Sequence, residues 1–453
     1  MTISLQDWRQ TSRQEPTLRV GVILDQDRAD AIRIDLAGAY ALSRPAAASV
    51  RLTAGARLVA RRGPGGSLLA SAGAEELPPA NILSLAPAGD PAAPHACARD
   101  VVAGRGFHWQ TRVDPWLPGA LELRAGPNGL ELINELGLEP YLAGVITAEM
   151  SGACPREFLK AQCVVARSWL LAMSEPKHAG EPFDRCNDDC CQRYQGLADL
   201  SDGAREAMRS TRGLVLLDGT EAVLDANYSK SCGGVSELAE HVWGAPKAGI
   251  SAVVDAPAGA AEHAFLPVTE QNLAEYLDGA WVADARAFCS PSAAPLEAIG
   301  RYLGRVDEVD NYFRWSVTHG LEALEALLAA YAPPGGAARL RDLRVTKRGV
   351  SGRASELALS WQTGRGEVAE TRITSEYALR AALHPRFLYS SAFRIRTEHD
   401  ADGALRRVTL RGAGWGHGVG MCQIGALGMS LQGVDWRSIC RHYYPRASIE
   451  KVY

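Results

Sequence analysis

The chain has 453 residues, enough for two or three ordinary domains or one large embellished one, and its composition is globular: 47% hydrophobic, 22% charged, 45 glycines. A formal net charge of −4 gives no electrostatic basis for nucleic-acid binding or for attachment to an anionic membrane, and no apolar run is long enough to span a bilayer. The opening segment, Met1-Thr2-Ile3-Ser4-Leu5-Gln6-Asp7-Trp8-Arg9-Gln10, is polar and lacks the apolar stretch of a secretory signal; as written it reads as unexported, or as the mature portion of something longer.

Taken in chain order, Leu18–Leu24, Ala31–Leu36 and Val50–Thr53 read as short strands between Gly, Asp and Pro turns, so a β-rich region is expected over residues 1–119. Residues 76–96, rich in Ala and Pro, read as a loop or linker. Leu121–Arg124 and Leu130–Ile133 flank Gly126-Pro127-Asn128-Gly129, a hairpin signal. Pro155 suits the first position of a helix running from Phe158 to Met173, on which Gln162 falls within the apolar stripe. Lys160, Val164 and Arg167 share another face, so two cations would project toward one site. Residues 270–333 read as helical, ending at Pro333-Pro334-Gly335-Gly336. Strands resume at Leu343–Thr346 and Glu356–Trp361, and helices are expected over Ile424–Leu431 and up to His442-Tyr443-Tyr444. No internal repeat is present, and the fold class is α+β.

Four segments carry candidate chemistry. Glu149 lies among Val145, Ile146, Ala148 and Met150, and a carboxyl in apolar surroundings is desolvated and able to hold a proton for donation; the competing reading is a salt bridge to Lys160 or Arg167. Tyr228-Ser229-Lys230-Ser231-Cys232-Gly233-Gly234 reads either as the hydroxyl-bearing rim of a cleft or as a strand entering a turn. His178, Cys186, Cys190 and Cys191 form a ligand set suited to tetrahedral zinc and closed to water, with disulfides or free thiols as the alternative. The ten cysteines are otherwise scattered rather than laid out as a disulfide framework. In Gly414-Trp415-Gly416-His417-Gly418-Val419-Gly420, four glycines alternate with larger residues, which brings backbone N–H groups close to a ligand or builds a tight turn.

Together these segments resemble the stage II sporulation protein D / LytB amidase-enhancer (SpoIID/LytB) family. The resemblance rests on Tyr141–Ile146 with Glu149-Met150, Pro155 and Leu159–Gln162 with Ala166-Arg167, then on Cys191–Gly196, Tyr228-Ser229, Cys232–Gly234 and Val242–Gly244. It continues through Ser351–Arg353, Leu388–Phe393, Gly414–Ala426 and His442–Tyr444. It covers about residues 120–453 in matching order, with an apparent helical insertion at about 255–340 and little of it in 1–119. The resemblance implies a mixed SpoIID-like domain and peptidoglycan lytic transglycosylase activity, with Glu149 as the catalytic acid. Lys160, Gln162, Arg167, Tyr228, Ser229, Trp415, His417 and Gln423 would line the glycan cleft. It further implies a structural zinc on His178, Cys186, Cys190 and Cys191, where some members use two His and two Cys. The expected partners are glycan strands and a cell-wall amidase or other wall hydrolase, and the expected place is the cell envelope, although no export signal is seen. A second class of function is a non-catalytic wall-binding enhancer of an amidase. A zinc hydrolase is disfavoured, because four protein ligands leave no open position for water and no His-Glu-x-x-His motif is present.

Overall fold

The computed structural model describes residues 3–4, 14–45, 48–93, 95–107, 109–172, 177–258, 265–279, 286–305, 307–334 and 338–453. The polar opening segment lies almost wholly outside these residues, as does Met173 at the end of the expected helix. Helices and strands are both abundant, so the fold is α+β. The chain divides into two compact units. The first comprises 1–215, 301–308 and 450–453; the second comprises 216–300 and 309–449.

In the first unit the alternating segments pair into two sheets. One runs in the spatial order Pro16–Ile23, Leu130–Gly137, Ala120–Ala125, Ile82–Pro87, Tyr40–Ser43, Val50–Leu52; the other contains Ala96–Ala98, Ala31–Leu36, Arg57–Arg62, Leu68–Ala72 and Glu75–Ala80. The expected hairpin is present, with Ala120 facing Glu135 and Ala125 facing Leu130. Its turn is tied down by Asp25, whose carboxylate accepts the N–H groups of Asn128 (2.7 Å) and Gly129 (3.1 Å). Residues 76–96 are not a linker. Ile82–Pro87 lies inside the first sheet with Leu83 and Leu85 buried, and Glu75–Ala80 ends the second, where an edge strand tolerates Pro78 and Pro79. A boundary at 119/120 therefore runs through one sheet, since Ile82–Pro87 pairs with Ala120–Ala125.

Two helices follow the hairpin. Ten of the twelve residues of Leu138–Glu149 are buried, which makes it a core helix rather than an amphipathic surface one. Arg156–Ala172 is also largely enclosed, with only Arg156 exposed and with Phe158, Leu159, Val165 and Leu170 among its buried residues. Its Arg167 is wholly buried and clamps Glu139 of the preceding helix in a two-pronged ion pair of 3.0 and 2.7 Å. Arg167 also donates to the Leu214 carbonyl (3.0 Å), while Glu139 accepts from Gly213 N–H (3.2 Å) and the Tyr453 hydroxyl (2.6 Å).

The second unit contains two three-stranded antiparallel sheets: Arg314–Gly320, Leu405–Ala413, Phe393–His399, and Ala338–Arg348, Ala354–Thr363, Val368–Thr374. Trp315, Leu340, Leu343, Leu357, Trp361, Phe393 and Leu410 contribute to their shared core. The helical reading of 270–333 fails at Arg314–Gly320, where Trp315 and Val317 point to the core at period two. Short helices do occur, at Leu273–Asp278, Leu296–Ile299 and Leu321–Leu327. The last two expected helices are found at Gln423–Leu431 and Trp436–Tyr443.

The buried ion pair yields a stability prediction. Arg167→Met strands the Glu139 carboxylate inside the fold and is expected to cost about 3–5 kcal/mol. Glu139→Gln combined with Arg167→Met removes both charges and should recover most of that loss. Urea-unfolding midpoints of the three proteins check this; equal midpoints for the single and double variants would show that the pair is not the source.

Candidate functional site

Glu149 is the last residue of its helix and is half-buried, in contrast to the enclosed run before it. Its Oε1 accepts the backbone N–H of Arg193 at 3.1 Å. The Arg193 guanidinium is itself held by Asp189 (2.5 Å) and Asp307 (2.7 Å) and lies over the Trp109 ring. On either side of Arg193 the chain is anchored. Gln192 accepts from the Tyr141 hydroxyl (3.3 Å) and donates to the Ala166 carbonyl (3.2 Å), so it bridges the two helices. The Tyr194 ring stacks on Tyr141, and its hydroxyl donates to Asn134 at 2.8 Å. Of the other expected residues in this unit, Lys160 pairs with Glu157 (2.7 Å) and Gln162 is enclosed in the core. Arg167 is taken up by Glu139, so the two cations do not converge on one site, and the anticipated pairing of either with Glu149 is replaced by these partners.

The His178 group does assemble. Cys186 sits on the two-residue strand Arg185–Cys186, which runs parallel to Val20–Gly21 and is buried there. Cys190 and Cys191 come from the following turn. His178 Nε2 lies 3.3 Å from Cys191 Sγ and 3.9 Å from Cys190 Sγ, and Cys186 Sγ is 2.9 Å from Cys190 Sγ. All four ligand atoms fall within 4.8 Å of one another. Hydrogen bonds from Cys186 and Cys190, then from His178, hold the Cys191 thiol well below its ordinary pKa. Three sulfurs and one imidazole nitrogen converging on one point fit a borderline-soft divalent metal. The long gap between His178 and Cys186 does not keep the imidazole away.

In the second unit, the glycine-rich loop is braced rather than open. Gly418 (φ +78°) and Gly420 (φ +73°) occupy left-handed backbone, and a β-carbon would strike the Arg353 guanidinium at the first and the Asn227 carbonyl at the second. The loop N–H groups are spent inside the protein. Trp415 donates to the Ser231 carbonyl, Gly416 to the Tyr389 carbonyl, Gly418 to Ser229 Oγ, and Met421 to the Asn227 carbonyl. Of the two readings of this loop, these bonds follow the tight turn, in which the glycines permit close packing. What the loop presents is side chains. Trp415 lies against Tyr312 and Tyr389, each with ring centroids 4.7 Å away, and His417 lies against Trp243 at 5.0 Å. Tyr228 and Ser229 form a short strand parallel to Met421–Cys422, and Gln423 opens the next helix as a buried residue.

His417 Nδ1 accepts the Val419 N–H at 3.1 Å, which leaves the proton of the neutral ring on Nε2. Desolvation, followed by the nearby Arg353 and Arg380, pushes its pKa down to about 3. The ring is thus a neutral hydrogen-bonding group at neutral pH.

Comparison with known proteins bears on these residues. The sequence model of a family described as stage II sporulation protein (SpoIID) matches residues 127–217, a span that takes in Glu149 and the His178 group. The chain is 23% identical over 316 residues to a Bacillus subtilis protein named amidase enhancer, an alignment covering 68% of this chain and 40% of that protein. These matches support the resemblance of the chain to the SpoIID/LytB family, with residues 127–217 as the SpoIID-like part. That resemblance supports a cell-wall-related role. The chain is also 26% identical over 313 residues to an uncharacterized protein of Brachyspira hyodysenteriae, covering 69% of this chain and 66% of that one, so the aligned part is under two thirds of each relative. A model for a domain of unknown function (DUF8618) matches residues 284–420, which include most of the segment expected to be an insertion, together with Trp415 and His417.

Sequence reasoning missed Asp189 and Asp307 as partners of Arg193, and Trp243, Tyr312 and Tyr389 as aromatic neighbours of the loop. Asp189 lies beside the quoted Cys-Gln-Arg-Tyr segment and was within reach of inference. Asp307 is distant in sequence and carries no local signal.

The state of His417 is open to direct measurement. Its imidazole nitrogens, followed by NMR, should show the Nε2–H tautomer with no titration between about pH 5 and pH 8. Because the folded pKa is depressed, the stability this residue contributes is present above its unfolded pKa of roughly 6.5 and declines as pH falls from there toward 3. A titration midpoint near the unfolded value would show that the ring is not desolvated.

Proposed function

We propose that this protein is a peptidoglycan lytic transglycosylase in which Glu149 is the single acid–base group. The observation that carries the reading is the placement of Glu149: it ends a buried helix, is itself half-exposed, and has its Oε1 held by the Arg193 backbone N–H. An ordinary glycosidase needs two carboxyl groups flanking the bond. One carboxyl suffices where the sugar supplies its own nucleophile.

In the proposed reaction, protonated Glu149 gives its proton to the glycosidic oxygen between MurNAc and GlcNAc as the C1–O bond breaks. The C6 hydroxyl of MurNAc attacks C1 and closes a 1,6-anhydro ring. Its proton passes to the Glu149 carboxylate, which restores the acid. Water takes no part. In the second unit, the part-exposed Trp415, backed by the buried Tyr312 and by Tyr389, offers an indole suited to a sugar face, and Tyr228 and His417 are part-exposed polar residues of the same unit. Such a substrate places the protein in the cell envelope; among the described residues no helix is long and apolar enough to cross a membrane. His178, Cys186, Cys190 and Cys191 would hold a zinc ion that fixes the segment leading to Arg193 and takes no part in the chemistry.

The printed name of the Bacillus subtilis relative favours one other reading, a wall-binding protein that assists an amidase. Mass spectrometry of products from purified glycan strands separates the two. Wild type should release 1,6-anhydro-MurNAc ends, and Glu149→Gln should lower the rate by roughly 10²–10⁴-fold while strands still bind. Binding without products from wild type would favour the enhancer. Reducing ends in place of anhydro ends would mean hydrolysis.

A further inference from the structure

A second convergence of ligand-type side chains lies wholly within the second unit. Cys232, Asp255, Cys289 and Cys422 bring three sulfurs and a carboxylate oxygen within 4.8 Å of one another, and all four residues are buried. Cys232 Sγ is 3.8 Å from Cys289 Sγ and 3.4 Å from Asp255 Oδ2. With metal–sulfur bonds of about 2.3 Å, a tetrahedron has sulfur–sulfur edges of about 3.8 Å, and a sulfur–oxygen edge is slightly shorter. The observed spacings are therefore those of ligands around one ion.

The surroundings have the form of an outer shell. Asp255 Oδ1 accepts the Tyr443 hydroxyl (2.6 Å), and Oδ2 accepts the Cys289 N–H (3.1 Å). Cys422 Sγ accepts N–H groups from Cys232 and Gly425, each at 3.2 Å, and Cys232 Sγ accepts from Gly234 at 3.3 Å. Sulfur is a weak acceptor as a thiol, so backbone donors aimed at it suit the thiolate that a metal binds. Asp255 is wholly buried, and its Oδ1 faces His442 Nε2 at 3.7 Å, an ion pair only when that ring is protonated, while Oδ2 is the oxygen turned toward the sulfurs. A disulfide between any two of the cysteines would leave the third thiol unused.

We propose that Cys232, Cys289, Cys422 and Asp255 form a second structural site for a soft divalent cation of the zinc class. Each thiol releases its proton to solvent as its sulfur binds, and four protein ligands close the shell to water. The site would tie together three stretches of chain far apart in sequence. Cys232 follows the Tyr228–Ser229 strand and Cys422 ends the glycine loop, so the ion would fasten the base from which Trp415 and His417 project.

Native mass spectrometry of the full chain, purified after growth with zinc, gives the test. Cys289→Ser and Asp255→Asn should each lose one zinc relative to wild type, whereas Cys190→Ser/Cys191→Ser should keep it. The count attributable to this site is thus independent of whether the His178 group binds metal. Cobalt loaded into Cys190→Ser/Cys191→Ser should show sulfur-to-cobalt charge-transfer absorption, a readout that does not need the second-site variants to fold. An unchanged zinc count in Cys289→Ser, absence of that absorption, or a disulfide among these cysteines found by alkylating the unreduced, denatured wild type would each overturn the proposal.

Discussion

The hydrogen bond from Arg193 N–H to Glu149 Oε1 sets the position of the candidate acid, and it comes from a segment with no helix or strand of its own. Irregular backbone has no ladder of main-chain bonds to fix it, so side chains must do so. Here they do it from every side. Gln192 joins two helices, Tyr194 reaches Asn134, and Arg193 is held by two acids and an indole. The upstream end of the same segment carries Cys190 and Cys191. A metal bound there would fasten the chain two residues before Arg193, which gives a closed, non-catalytic ion a direct bearing on the acid.

The glycine loop of the second unit follows the same logic by different means. Its N–H groups bond to carbonyls and to Ser229, and the buried Arg353 donates to the carbonyls of Gly416, Ser231 and Cys232. A guanidinium with five donors satisfies several carbonyls of irregular backbone at once, which a lysine could not do. Glycine is required at Gly418 because this guanidinium occupies the place of a side chain. The alternation of glycines with Trp and His thus records the packing of Arg353 as much as any ligand.

The sequence made legible those features whose cause is local. The 120–137 hairpin, the helix after Pro155 and the two C-terminal helices follow from turn chemistry and apolar period, and they are present. The His178 group was legible because three cysteines lie within six positions. Features with distant causes were not. Ile82–Pro87 looks like a linker until a sheet surrounds it, and Arg314–Gly320 carries its strand pattern within a span of helical composition. Arg167 shares a helical face with Lys160, yet its partner Glu139 is on another helix, so a binding residue and a core ion pair read alike. Cys232, Asp255, Cys289 and Cys422 lie on three separate stretches, and no spacing rule connects them.

These two kinds of feature also differ in what supports them energetically. The sheets and the core helices rest on buried apolar surface, which is distributed and tolerates single losses. The segments around Glu149 and under Trp415 rest on a few buried polar contacts, where removal of one partner strands the other. If both sulfur-rich groups hold metal, the same division carries over to folding: the hydrophobic cores can form without ions, while the segments that present the candidate acid and the aromatic surface take their final form only as thiolates are bound. On that reading, the chain gathers six of its ten cysteines into two groups, one beside the segment that carries Arg193 and one at the base of the glycine loop, where apolar burial does not order the backbone.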